Sequence, residues 1–451
     1  MWHHKKTNTL TVVLAAVLLL LQLSPLTVAA GGADNSFPQV PEASAVYFYH
    51  MESGRLIGSK NASVRLPAAS TVKLLSGLIF CERFANQLWD EIEITGEMVN
   101  HSKGYRYGLA PGEMYTASQL IYLALCGSYN DAFDALAYII GGGDVQVFVE
   151  EMNRRAVACG AVNTTATDPT GVSDTSFTTA EDLFLIASAA CQNALYMQIC
   201  SSATFDLNNG QRIHNRNALV STGFDTRYYN PLCRGMSAGQ TTSGGCCVVT
   251  LAQREQDSYL CIVLGGAEGE GANPENYAYV VANRLIGWAY ESYTYLELLT
   301  VDTEICRIPV KVSDLTESVS VRPAESVFLH LPKDARLGED VKLSIRLMYD
   351  SLEAPVTEGI HVGYVAIVYQ GQILGTVALQ TAETAERSGF VSRLVQIKSL
   401  TQSRAARAGL IFFAVTLISW ILGEYLLRRY RRNKWERYFS SKIDLPDTLL
   451  K

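Results

Sequence analysis

The chain has 451 residues, of which 48% are hydrophobic and 18% charged, with a formal net charge of −7. That length supports two or three domains with sizeable cores. The acidic balance, and a long middle stretch with no large basic patch, exclude a nucleic-acid partner.

The first segment is a targeting signal by composition. His3-His4-Lys5-Lys6 precedes a mostly apolar run from Leu10 to Leu21, and Val28-Ala29-Ala30 supplies small residues of the kind a signal peptidase cuts. Residues 1–30 are predicted to be a secretory signal cleaved after Ala30, with an uncleaved anchor as the alternative. Ala45 to His50 and Arg55 to Ser59 read as a hairpin around Glu52-Ser53-Gly54. A helix is predicted from Ser70 to Phe84 and another from Ala117 to Ile140, broken by Gly141-Gly142-Gly143. Asp144 to Cys159 places Val145, Phe148, Met152 and Ala156 on one helical face. Thr179 to Cys191 starts with a capping threonine and Glu181-Asp182 in its first turn. Cys246 to Ala252 and Tyr259 to Leu264 read as two strands, followed by a closing helix from Asn273 to Tyr290. Strands at both ends with helices between them predict a mixed α/β domain over residues 40–292.

From Tyr293 the texture changes to short alternating segments. They include Arg307 to Val312, Val327 to His330, Val341 to Arg346, and the pair Tyr364–Tyr369 and Ile373–Leu379 around Gln370-Gly371-Gln372. A small all-β domain is predicted over residues 293–386, then a polar basic stalk over 387–407. Ala408 to Leu427 is 20 residues long with a single acid, Glu424, which is a membrane-spanning length. Arg428, Arg429, Arg431, Arg432, Lys434 and Arg437 follow, and clustered cations hold that end inside. The expectation is a single-pass protein of the bacterial cell membrane with its domains outside and a basic tail, residues 428–451, in the cytoplasm. Of the ten cysteines, most sit in apolar runs, and Cys246-Cys247 face opposite sides of a strand. Buried thiols fit them at least as well as disulfides. The absence of a Cys-x-x-Cys pair argues against a zinc ribbon or thioredoxin-type site.

Two patterns carry chemistry. Ser70-Thr71-Val72-Lys73 puts a hydroxyl and an amine one helical turn apart, so that the amine can take the serine's proton without a histidine. Ser128-Tyr129-Asn130 sits on a turn between helical stretches, where a hydroxyl can relay a proton and an amide can hold a peptide group. His50, His101 and His214 could suggest a Ser-His-Asp triad, but there is no Gly-x-Ser-x-Gly elbow, and structural roles are the simpler reading. No His-Glu-x-x-His occurs, and no metal or cofactor is expected.

The two patterns together resemble the penicillin-recognising serine enzymes. Ser128-Tyr129-Asn130-Asp131-Ala132, Phe148 to Asn153, Thr167-Asp168-Pro169-Thr170-Gly171 and Phe177 to Leu183 are similar to the D-alanyl-D-alanine carboxypeptidases of the low-molecular-mass penicillin-binding protein type. The β module, with Leu352 to Val356 and Gly359 to Gly363, is similar to that family's C-terminal domain. The resemblance implies a β-lactamase/transpeptidase-like α/β fold with a mixed antiparallel sheet, a C-terminal all-β domain and one transmembrane helix. It implies removal of the terminal D-alanine from peptidoglycan stem peptides, with β-lactam antibiotics as acylating inhibitors. Ser70 would be the nucleophile, Lys73 the base and Ser128 the proton relay. Asn130 would bind substrate, and the amides of Ser70 and Gln240 would form the oxyanion hole. Lys73 would then need its pKa lowered by roughly three units to be neutral at pH 7.

One stretch departs from the family pattern. Its third motif, Lys-Thr-Gly on an edge strand, is matched here by Ser237-Ala238-Gly239, followed by Gln240 and Thr241. Gly239 is kept, but Ser237 replaces the lysine that grips the substrate's terminal carboxylate. Losing one charge-assisted hydrogen bond costs about 1.5–3 kcal/mol. Arg212, Arg216 and Arg254 are candidate substitutes; Arg234, three residues before Ser237, would face away on a regular strand. The departure motivates an alternative reading, a catalytically weakened cell-wall-binding protein of the same fold. A β-lactamase fits less well, because the long match and the β module point to the carboxypeptidases.

Overall fold

A computed structural model describes residues 37–271, 273–391, 393–394 and 404–440. The predicted signal lies outside the described residues. The described residues divide into two units: the first holds those up to Leu296 together with Phe328–Ala335, and the second holds Glu297–Val327 and those from Arg336 onward.

The first unit is built on a five-stranded antiparallel sheet. Its strands are β1 (Ala45–His50), β2 (Arg55–Lys60), β3 (Ser237–Thr241), β4 (Gly245–Arg254) and β5 (Asp257–Gly266), in the order β2-β1-β5-β4-β3. The sheet thus joins the two ends of the domain, with Ala45 opposite Leu264 and Cys247 opposite Gly239. β3 is its edge strand, and that edge is where the site forms.

Both faces of the sheet are covered, which is why β4 and β5 read as continuous apolar runs. Side chains alternate along a strand. Leu260, Ile262 and Leu264 join a core with the helices on one face, while Tyr259, Cys261 and Val263 join a second core on the other. Cys247 and Cys246 divide between the same two cores, as their adjacency predicts. All ten cysteines are free thiols.

The helical layer contains α1 (Val72–Arg83), α2 (Ala117–Leu125), α3 (Asn130–Ile140), α4 (Val145–Ala158), α5 (Ala180–Cys191) and α6 (Ala194–Cys200). α1 is its centre: ten of its residues are buried, from Val72 to Cys81. α4 turns Phe148, Val149, Met152 and Ala156 inward. Thr179 caps α5, its hydroxyl accepting the Asp182 N–H at 3.0 Å. α7 (Tyr277–Ser292) covers the opposite face with Val281, Leu285 and Ile286.

The helical stretch from Ala117 to Ile140 is two helices, divided at the Ser128 turn read from the sequence, where Ser128 adopts φ 57°. One sequence expectation needs correction. The Ser70 helix begins later, with a 3₁₀ turn over Ala69–Thr71 preceding α1.

His50, at the end of β1, is one of the structural histidines. It is fully buried; Ser53 N donates to Nδ1 at 3.1 Å, and Nε2 lies 3.0 Å from Asp257 and 3.3 Å from Glu52. The backbone donor at Nδ1 places the ring proton on Nε2, facing the two carboxylates. His50, Glu52 and Asp257 thus form one compact polar cluster.

The second unit contains a six-stranded sheet. Its strands are β6 (Cys306–Lys311), β7 (Ser318–Pro323), β8 (Val341–Leu347), β9 (Leu352–Glu353), β10 (His361–Tyr369) and β11 (Gln372–Thr381), in the order β8-β10-β11-β7-β6-β9. Val319, Val321, Val365, Ile367 and Leu379 are buried in it. The segment from Phe328 to Ala335, read from sequence as part of this module, groups with the first unit. The long helix α8 runs from Arg404 to Ser440. Within it, Arg407–Arg437 is long and apolar enough to cross a membrane.

Candidate active site

The site lies where the start of α1, the α2–α3 turn and the edge strand β3 meet. Ser70 sits in the 3₁₀ turn, immediately after Ala69, whose φ of 46° is rare for a residue with a Cβ. Ser128 is the second such residue, at φ 57°. Met236, directly before Ser237, is a third non-glycine residue at positive φ, at 111°, so backbone strain is concentrated around this site.

Close packing holds Ser70 against β3. A Cβ added at Gly239 would lie 2.3 Å from Ser70 Cβ and 2.5 Å from Ser70 Oγ. Only glycine fits there, so the strand backbone runs directly beside the serine. From the other side Gly171, at φ 72°, packs on Ala69 O, which a Cβ would approach to 1.8 Å. Asp168 pins the loop carrying Gly171, one carboxylate oxygen accepting from Thr170 N and Gly171 N at 2.8 and 2.7 Å.

Lys73 is 6% exposed, and its amine donates to Ser128 O at 2.8 Å and Ser128 Oγ at 2.9 Å. Burial, aided by the Arg216 charge, pushes its pKa from 10.5 down to about 7. The nearby acids Asp134, Asp168 and Asp131 oppose that shift. Lys73 therefore engages Ser128, while the Ser70 side chain lies against Gly239. Asn130, buried at 4%, donates from Nδ2 to Lys103 O at 2.6 Å, and its Oδ1 has no partner among the described residues.

On β3, Ser237 Oγ donates to Ser70 O at 3.1 Å. Gln240 Nε2 donates to Glu268 Oε2 at 2.5 Å, and Thr241 Oγ1 accepts from Gly244 N at 3.0 Å. A cleft of about 970 Å³ is lined by Ser70, Lys73, Ser128, Asn130, Gly239, Gln240 and Thr241. Ser237 lines a smaller cavity behind it, with Lys73, Ser128 and Arg216. Seven of the eight residues singled out from sequence thus line one cleft, and Ser237 lines the cavity adjoining it.

The arginines sort differently. Arg212 is paired with Asp206 at 2.7 Å and is exposed. Arg254 lies by Asp257 at the far β4–β5 turn, over the Tyr290 ring. Arg234 precedes β3 and donates to Pro231 O at 2.9 Å. Arg216 alone of these lines the cleft. Sequence reasoning missed Arg227 on the cleft wall, Tyr105 beneath Arg216, and Asp134, which lies four residues after Asn130 on α3 and weighs on Lys73.

Comparison with known proteins agrees with this geometry. A family profile described as D-alanyl-D-alanine carboxypeptidase matches residues 33–268, and one described as the penicillin-binding protein 5 C-terminal domain matches 293–387. The D-alanyl-D-alanine carboxypeptidase DacF of Bacillus subtilis is 23% identical over 382 residues, covering 84% of this chain and 94% of its own. DacB2 of Mycobacterium tuberculosis is 33% identical over 211 residues, 43% of this chain and 69% of its own. Among solved structures, penicillin-binding protein 5 from Haemophilus influenzae superposes with a TM-score of 0.57 at 23% identity, covering 78% of this chain and 99% of that one. The fold is therefore that of a low-molecular-mass penicillin-binding protein, with its C-terminal β domain. The chain belongs to the D-alanyl-D-alanine carboxypeptidase family, a family of hydrolases.

Proposed function

We propose that this protein is a serine D-Ala-D-Ala carboxypeptidase that trims peptidoglycan stem peptides through an acyl-enzyme on Ser70. The observation that carries the reading is the buried Lys73 amine on Ser128, with a pKa brought near 7, beside a serine held against Gly239.

In this reading the neutral Lys73 amine takes the Ser70 proton, directly or through Ser128, as Ser70 Oγ attacks the carbonyl between the two D-alanines. The Lys73 amine already lies within hydrogen-bond reach of the Ser128 hydroxyl, as the relayed route requires. The backbone N–H groups of Ser70 and Gln240 would stabilise the oxyanion, Gln240 lying on the sheet's edge strand. Ser128 would pass the proton to the departing D-alanine, and Asn130 would hold the peptide. Water then frees the acyl group. β-Lactams would acylate Ser70 in the same way.

The apolar helix Arg407–Arg437 supports anchoring in a membrane. The basic cluster from Arg428 onward supports a cytoplasmic C-terminus and an extracytoplasmic catalytic domain.

Labelling with a fluorescent penicillin tests the acyl-enzyme, and D-alanine release from a pentapeptide tests the hydrolysis. A stable adduct lost in Ser70→Ala, with D-alanine released by the native protein, is expected. An adduct that survives Ser70→Ala, or no adduct, would overturn the reading.

A further inference from the structure

Position 237 carries no charge, and its hydroxyl is already committed to Ser70 O at 3.1 Å. The cleft nevertheless holds a cation. Arg216 lines both the small cavity beside Lys73 and Ser237 and the open cleft in front of Ser70.

Its position is rigidly prepared. Arg216 N donates to Cys126 O at 2.9 Å, and the preceding Asn215 is tied to Cys200 O and Ser202 O at 2.8 and 2.9 Å. The guanidinium lies over Tyr105, with Cζ 3.7 Å from the ring centroid. Tyr105 stacks in turn on Tyr129 at 4.9 Å and 19°, and Tyr105 O accepts the Asn130 N–H at 2.8 Å. The stack therefore ties the guanidinium to the turn that carries Ser128 and Asn130. Stacking fixes the plane of an arginine and leaves its N–H edge available for an anion.

No acid occupies that edge among the described residues. Arg227, the other arginine lining the cleft, is spent: it pairs with Asp225 at 2.6 Å and reaches Asn273 Oδ1 at 3.1 Å. An exposed guanidinium held flat beside a nucleophile, without an acid of its own, matches a carboxylate in geometry and charge.

We propose that Arg216 is the carboxylate anchor of this site, binding the free C-terminal carboxylate of the substrate peptide in place of the lysine that Ser237 replaces. This rests on the carboxypeptidase reading for the identity of the ligand. The same charge also acts on Lys73, favouring its neutral form, so one residue takes over both the grip and the tuning.

The test separates binding from chemistry. Ser70→Ala protein is titrated calorimetrically with an N-acylated peptide ending in D-Ala-D-Ala and with the same peptide as its C-terminal amide. The acid should bind about tenfold or more tightly than the amide, the range of a charge-assisted pair. Adding Arg216→Gln should erase that preference by weakening the acid alone, and Arg216→Lys should restore part of it. A preference that survives Arg216→Gln, equal weakening of both peptides, or no binding of either overturns the proposal. Failure of the native protein to accept a fluorescent penicillin would instead sink the acyl-enzyme reading and leave this comparison standing.

Discussion

The Lys73 amine sits 2.9 Å from the Ser128 hydroxyl oxygen and 2.8 Å from the Ser128 carbonyl oxygen. The carbonyl can only accept, so the amine spends one proton there. Its relation to the hydroxyl can run either way, according to whether Lys73 is charged. That ambiguity suits a proton relay, because the direction reverses when Lys73 changes state.

The first prediction follows from that state. Burial and Arg216 lower the Lys73 pKa to about 7, so the neutral amine is the minor form below that pH and the major form above it. Acylation of Ser70 by a fluorescent penicillin should rise about tenfold per pH unit on the acid side and level off above about pH 7. Labelling rates measured from about pH 5 to 9 check this. A rate independent of pH across that range would remove Lys73 as the base.

The same burial has a cost in stability. Lys73 binds its proton more weakly folded than unfolded, so between about 7 and 10.5 the unfolded chain holds more protons. Stability then rises with pH through that window and is reduced below it. Lys73→Met removes the buried amine and should stabilise the protein at neutral pH by roughly 1–3 kcal/mol, while abolishing acylation. The gain should shrink towards about pH 10. Thermal unfolding of both proteins at the two pH values measures it, and a Met variant that is less stable at neutral pH would contradict the burial argument.

Gly239 supplies a steric prediction. A Cβ there would lie 2.3 Å from Ser70 Cβ, so Gly239→Ala must push Ser70 or β3 aside. Acylation should fall about a hundredfold or more, since a misplacement of about 1 Å costs that much. The edge position of β3 lets the strand give way, which limits the stability loss to roughly 1–2 kcal/mol. An Ala variant acylated at the native rate would show that Ser70 is not held as described.

How much of this was legible in the sequence depended on distance along the chain. Ser70 with Lys73, and Ser128 with Asn130, are local patterns, and local geometry brings each pair to one face of a helix or one turn. The paired strands β4 and β5 were legible from their apolar runs. The Ser128-Tyr129-Asn130 turn was legible as the break between α2 and α3, and Gly127 is its local signal. Arg216 could be named only as one of several arginines. Its place depends on Tyr105 and on Cys126 O, contacts separated by about a hundred residues or so that no periodicity encodes.

Asp134 gives the last prediction, and it couples stability to catalysis. Its carboxyl is partly buried, and Ser102 Oγ donates to Oδ2 at 2.5 Å. Burial raises its pKa from 3.8 to about 6, outweighing the Ser102 bond. The folded chain therefore holds this proton more tightly than the unfolded chain, and stability falls as pH rises through that window. Asp134→Asn keeps an oxygen for Ser102 and removes the charge. It should be neutral near pH 4 and stabilise by roughly 1–2 kcal/mol near pH 7. The same charge holds the Lys73 pKa up. Removing it should move the acid limb of the acylation profile to lower pH, by a fraction of a unit, without changing the plateau. Unfolding at the two pH values and the labelling profile read the two effects separately. A limb that stays put while stability rises would mean that Asp134 is felt by the fold but not by Lys73.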